Sequence, residues 1–243
     1  MLSYYLPQEN PGGVQIAIWD AAGKTVRTLF APSQAGLNRA CWDLRREPAM
    51  PENAPPTAAS CVAARSAGGP LAPPGKYTVV LTPAGALPMK SELVVQPDPR
   101  SRVSEADRRG RESALSSAYT LQRQLSGVRQ TAQTLGIQIA AMRGTISGEG
   151  VALLERAGRD VARAMGQVNT AIAGAARAQN AIDLYEGLPT AAQLRELDWA
   201  WEDAVEGATS VNRVIEGDMP ELYAAAGPSA RWSPLKPVLL PKR

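Results

Sequence analysis

The residues best suited to chemistry in this sequence are few. Trp42 and Asp43 set an aromatic ring beside a carboxylate, the pairing that stacks on a sugar ring and hydrogen-bonds its hydroxyls. Alternation nevertheless puts Trp42 on the same side as Ala40 and Leu44 and Asp43 on the other. A core Trp with Asp43 tied to a nearby amide or Arg is therefore the expected arrangement. Trp19 falls opposite Ile16 and Ile18, and we expect it to cover a neighbouring domain or to stand as a single exposed aromatic. Cys41 and Cys61 are either two unrelated thiols or the ends of a disulfide closing a loop of about 20 residues, worth roughly 3 kcal/mol in an extracytoplasmic chain.

The remaining acids do not converge. Glu155, Asp160, Glu196, Asp198, Glu202, Asp203 and Glu206 alternate with Arg156, Arg159, Arg163 and Arg195 at helical spacing. That is the pattern of solvated i,i+4 pairs. Glycosidases place paired carboxyls on opposite sides of a cleft. The sequence has no histidine, which removes the imidazole base of Ser-His-Asp and Cys-His nucleophiles and the usual zinc and iron ligands. We expect no catalytic residue, no metal site and no cofactor. Net charge is +3, from 26 Lys and Arg against 23 Asp and Glu, spread along the chain. The densest basic run, Arg108, Arg109 and Arg111, reads as a solvated helix start, and nucleic acid is not an expected partner. No apolar run approaches the roughly 18 residues of a membrane span. Met1–Pro7 has neither the basic start nor the apolar core of a signal peptide.

The elements that must position these residues change character midway. Up to residue 99 the pattern has period two. Val14, Ile16 and Ile18 alternate with Gln15, Ala17 and Trp19, and Asp20-Ala21-Ala22-Gly23 can turn the chain into a return strand from Thr25 to Phe30. Tyr77, Val79 and Leu81 follow Pro73-Pro74-Gly75, and Leu93 and Val95 mark a last strand. Short alternating strands joined by turns predict an antiparallel sandwich over 1–99. Residues 47–72, rich in Ala, Pro, Ser and Gly, read as a flexible loop.

Over 100–228 the apolar period becomes 3.5. Ala118, Leu121, Leu125, Val128, Ala132, Leu135, Ile139, Met142 and Ile146 form one seam. A second runs from Leu154 through Val161, Val168 and Ala175 to Ile182, and a third from Leu194 through Trp201 and Ala208 to Ile215. Ala157, Ala164, Ala171 and Ala178 add a small-residue stripe to the middle helix. Ser104, Ser147-Gly148-Glu149-Gly150 and Gly187-Leu188-Pro189 punctuate the helices, and Thr190 with Gln193 has capping-box spacing. Short breaks predict an up-down-up three-helix bundle, with Gly217 ending the third helix and a short terminal helix from Pro220. Residues 229–243 read as an extended, proline-rich tail. The fold class is thus α+β multidomain: an immunoglobulin-like β-sandwich followed by a helical bundle.

Leu2-Ser3-Tyr4-Tyr5-Leu6-Pro7 and Ile18-Trp19-Asp20-Ala21-Ala22-Gly23-Lys24 resemble the immunoglobulin-like module of the flagellar hook-capping protein, a module type of many secreted bacterial proteins. Gly36 through Arg45, Pro70 through Val79, Pro97-Asp98-Pro99-Arg100 and Asp218-Met219-Pro220-Glu221-Leu222 resemble one setting more closely. It is the region after the β-propeller in bacterial BNR-repeat, sortilin-like or "glycosyl hydrolase-like" proteins. The resemblance covers nearly the whole chain. It implies a secreted or periplasmic setting and a non-catalytic structural or interaction module accessory to a propeller. The partner is then a protein, either the propeller or a second copy bound through the bundle. The alternative is a carbohydrate-binding accessory domain with a glycan partner. A glycoside hydrolase would rest on the family label alone.

Overall fold

The computed structural model describes residues 1–49, 57–58, 69–148, 150–227 and 233–242. The chain is mixed α+β and divides into two compact units, one of Met1–Ala49 with Asn53–Ala106 and one of Asp107–Arg243.

Among the described residues the first unit holds seven strands: β1 (Leu2–Leu6), β2 (Val14–Trp19), β3 (Thr25–Ala31), β4 (Gly36–Ala40), β5 (Thr57–Ala58), β6 (Gly75–Pro83) and β7 (Met89–Val95). β1 and β4 form a two-stranded antiparallel sheet, and the other five are ordered β5-β3-β2-β6-β7. All pairings are antiparallel except β3 with β5. The β2–β3 hairpin closes as its residues require. Asp20 Oδ1 accepts from the amides of Ala22 and Lys24 at 3.0 and 2.9 Å, and Gly23 takes φ +76°, which a side chain would resist. Alternation then sends Val14, Ile16 and Ile18 inward, each at most 2% exposed. They share one core with Leu6 and Ala40 of the smaller sheet and with Leu29, Trp42, Tyr77 and Leu81.

Two sequence expectations change here. Ala40 and Trp42 are buried, yet Leu44 is 40% exposed. β4 ends at Ala40, and Leu44 adopts φ 60°, so the period-two pattern breaks before it reaches Leu44. Of the predicted loop over 47–72, residues 50–56 and 59–68 lie outside the described residues. Thr57–Ala58 pairs with Leu29 and Phe30 as β5. Gly69 and Ala72 are tied back by backbone hydrogen bonds from Gly69 to Arg46 and from Ala72 to Leu44.

The second unit is helical: α1 (Glu105–Met142), α2 (Gly150–Asp183), α3 (Ala191–Arg213) and α4 (Met219–Ala226). Every residue of the first predicted seam is buried, and Ala157, Ala164, Ala171 and Ala178 are at most 1% exposed. These alanines let backbones approach closely. A Cβ on Gly207 of α3 would lie 3.1 Å from the Val168 amide nitrogen of α2. Cross-helix contacts run in opposite senses along paired helices. Gln122 meets Gln179 while Gly136 faces Val161, and Gln193 reaches Ala181 while Gln167 meets Glu206. α1 with α2, and α2 with α3, are therefore antiparallel.

The Thr190 box forms as spelled. Gln193 N–H donates to Thr190 Oγ1 at 3.3 Å, and Thr190 N–H donates to Gln193 Oε1 at 2.9 Å. Leu194 departs from the third seam and is 42% exposed. Gly217 does not end the third helix either. α3 passes through a π-helical turn, Val214–Asp218, directly into α4, because Met219 and Leu222 still bury fully onto the same core. The stop comes at Gly227, φ 74°.

Candidate functional site

The aromatic–carboxylate pair is engaged inside its own unit. The Trp42 ring packs edge-on to Tyr77 with centroids 5.4 Å apart, and its Nε1–H donates to the Arg45 carbonyl at 2.9 Å. Asp43 Oδ1 accepts from the Arg45 amide at 3.0 Å, and Oδ2 is buried without a hydrogen-bond partner among the described residues. Arg45 Nη1 donates to Gly69 O, and Arg27, 5% exposed, donates to Arg46 O. Trp42 through Arg46 is thus a tied-down turn whose aromatic face points into the core. Trp19 is half-buried, with the Lys90 ammonium 4.9 Å from its ring centroid. Cys41 is disulfide-bonded. Cys61, the other of the two cysteines in the sequence, lies outside the described residues.

The helical acids take the scattered roles their spacing predicts. Arg159 pairs with Glu155 at 3.8 Å and Arg163 with Asp160 at 3.3 Å, both exposed. Arg156 reaches Asp218 at 2.7 Å. Among the described residues no three Cys, Asp or Glu gather as a metal could use, and no helix is long and apolar enough to cross a membrane. The basic run needs a correction. Arg111 is no solvated helix start: its Nε donates to the Ile182 and Tyr185 carbonyls and its Nη2 to that of Asp183. A guanidinium there satisfies orphan carbonyls and the negative dipole end of α2. The cue was a cation near the start of one helix whose antiparallel neighbour ends beside it.

The most site-like arrangement involves residues that sequence reasoning passed over. Residues 233–242 form neither helix nor strand and run along the helical unit, held by side-chain amides. Asn212 on α3 makes a two-way clamp on Val238: Nδ2 donates to its carbonyl at 2.9 Å, and its N–H donates to Oδ1 at 2.7 Å. Gln124 on α1 repeats this at Lys242, donating to the carbonyl at 3.3 Å and accepting from the N–H at 3.1 Å. Gln138, also on α1, donates to Ser233 O at 3.2 Å and accepts from the Tyr223 hydroxyl at 2.7 Å. Burial pushes the Tyr223 hydroxyl above its ordinary range, opposed by the backbone at Leu235. Between the clamps, Leu235 and Val238 pack on the helical core and Pro241 is buried. Three anchors at three-residue spacing match the threefold turn of a polyproline II segment. That spacing, with prolines at 234, 237 and 241, was the available signal.

A second feature is an open cleft of about 420 Å³ lined by Arg109, Glu112, Ser113, Ser116, Ser117 and Thr120 of α1 and by Trp201 of α3. Trp201 is 4% exposed, and its Nε1–H donates to Ser117 Oγ at 3.3 Å. No family model, curated protein or solved structure matches the chain.

Proposed function

We propose that this chain is a non-catalytic interaction module. In this reading the β unit is an immunoglobulin-like sandwich that serves as a spacer. The helical unit is an up-down-up bundle that serves as a docking element, accessory to the β-propeller of a sortilin-like BNR-repeat protein. The observation that carries it is the grip of the helical unit on a polypeptide backbone. Asn212 and Gln124 each satisfy a donor and an acceptor of one residue outside any helix or strand, the way a sheet edge would. The sandwich's Trp42 and Asp43, by contrast, are engaged within their own turn. A disulfide at Cys41 supports the secreted or envelope-associated setting that the family resemblance implies.

The test is light scattering of the purified chain, alone and with a β-propeller protein encoded beside it. Self-association or a stable complex is expected. A strict monomer that leaves the propeller unbound overturns the reading. The hydroxyl-lined cleft beside Trp201 favours a second reading, a carbohydrate-binding accessory domain. Trp201 shows no open face for a sugar to stack on, so this reading rests on the row of hydroxyls. A glycan array without signal above background retires it.

A further inference from the structure

The tail lies where a ligand would. Ser233 meets Gln138 and Lys242 meets Gln124, so the segment descends α1 against its direction. Val238 is clamped by Asn212, and Pro241 lies beside Trp201 and Val205 near the middle of α3, so the segment opposes α3 as well. The groove therefore reads main chain at several points and admits apolar side chains at every third residue.

Two facts separate this from ordinary packing. First, the clamps are specific for backbone: a carboxamide aligned with one N–H and one C=O of the same residue recognises extended polypeptide whatever its side chain. Second, the groove stays open beside its resident. Pro241 itself borders an open, mostly apolar cleft of about 500 Å³ that runs along Trp201, Glu202, Val205 and Glu206. Between its anchors the resident leaves Leu239 and Leu240 at 91% and 42% exposure.

Building on the docking role assigned to the helical unit, we propose that the groove between α1 and α3 is a recognition site for an extended, proline-punctuated peptide of pattern apolar-x-x-apolar-x-x-Pro. The segment Leu235-x-x-Val238-x-x-Pro241 is its displaceable resident. A tethered segment competes at an effective concentration in the millimolar range, so the site is masked in the intact chain. A partner peptide opens it by also filling the cleft beside Pro241.

The test uses full-length chains and a fluorescent peptide spanning Ser233 to Lys242. A variant carrying Leu235→Glu, Val238→Glu and Pro241→Glu disables the resident without shortening the chain. This variant is expected to bind the peptide at least tenfold more tightly than the wild-type chain does, and adding Asn212→Ala is expected to abolish the gain. A variant with unchanged helical circular dichroism that gives no anisotropy rise overturns the proposal. So does equal binding by wild-type and variant chains, or equal binding of a scrambled peptide.

Hydrogen exchange on the wild-type chain keeps the proposal falsifiable if the triple variant misfolds. The Val238 amide should exchange at least tenfold more slowly than in the free peptide, and Asn212→Ala should erase that protection while helix amides stay protected. Exchange at the free-peptide rate overturns the proposal. Failure here alongside intact self-association or propeller binding would remove the groove and leave the docking role standing. Loss of those associations with peptide binding intact would do the reverse.

Discussion

Trp42 shows how a side chain suited to ligand stacking becomes structural. Its ring is 7% exposed and its N–H is the partner of the Arg45 carbonyl. Trp42→Phe should keep most of the packing but lose that hydrogen bond, costing about 0.5–1.5 kcal/mol in urea denaturation. Trp42→Ala should cost about 3–5 kcal/mol. Leu44 is a different case. At φ 60° and 40% exposure it bears backbone strain with little packing in return. Leu44→Gly should be neutral or stabilising by up to about 1 kcal/mol, and the β-branched Leu44→Val should destabilise. Tyr223 carries a pH signature. Its folded pKa is raised by burial, as is that of Tyr4. Its contribution is complete below the unfolded value of about 10 and is lost as pH rises through the folded one. Stability should therefore fall with alkaline pH from that point, and Tyr223→Phe should flatten part of the slope in a pH series of thermal melts. The burial of Trp42 was readable from sequence, whereas for Cys41 the sequence left free thiol and disulfide both open. Leu44 was not, because a left-handed residue without glycine leaves no compositional mark.

At the scale of elements, helix punctuation and helix contact make separate demands. Thr190→Ala removes one half of the capping box that starts α3 and should cost about 1 kcal/mol by thermal unfolding. Two glycines in the helical unit should respond with opposite signs. Gly166 on α2 has nothing within 4 Å of where a Cβ would sit, so Gly166→Ala should stabilise by about 0.5–1 kcal/mol. Gly207 lies against Val168 of α2, so Gly207→Val should destabilise by about 1–3 kcal/mol. The 3.5-residue seams made α1, α2 and α3 legible almost residue by residue, because burial on a helix repeats with its turn. Leu194 and Gly217 were misread at the rims. There the pattern is sampled too few times, and the π turn lets α4 keep Met219 and Leu222 on the core.

At the scale of the molecule, the described residues divide into two compact units, each with its own main apolar core. The disulfide at Cys41 belongs to the first, and the sequence contains one other cysteine. The unreduced chain should therefore show no titratable thiol with a chromogenic disulfide reagent until it is reduced. Two free thiols in protein purified under oxidising conditions would contradict that. The sequence alone settled the change from period two to period 3.5, the turns, the capping box and the absence of histidine chemistry. All of these are local or compositional properties. Only the tertiary structure decided that Arg111 caps α2 and that residues 233–242 lie clamped by Gln138, Asn212 and Gln124. Those contacts join residues far apart in the chain. A glutamine on a helix surface looks the same in sequence whether it faces water or another segment's backbone.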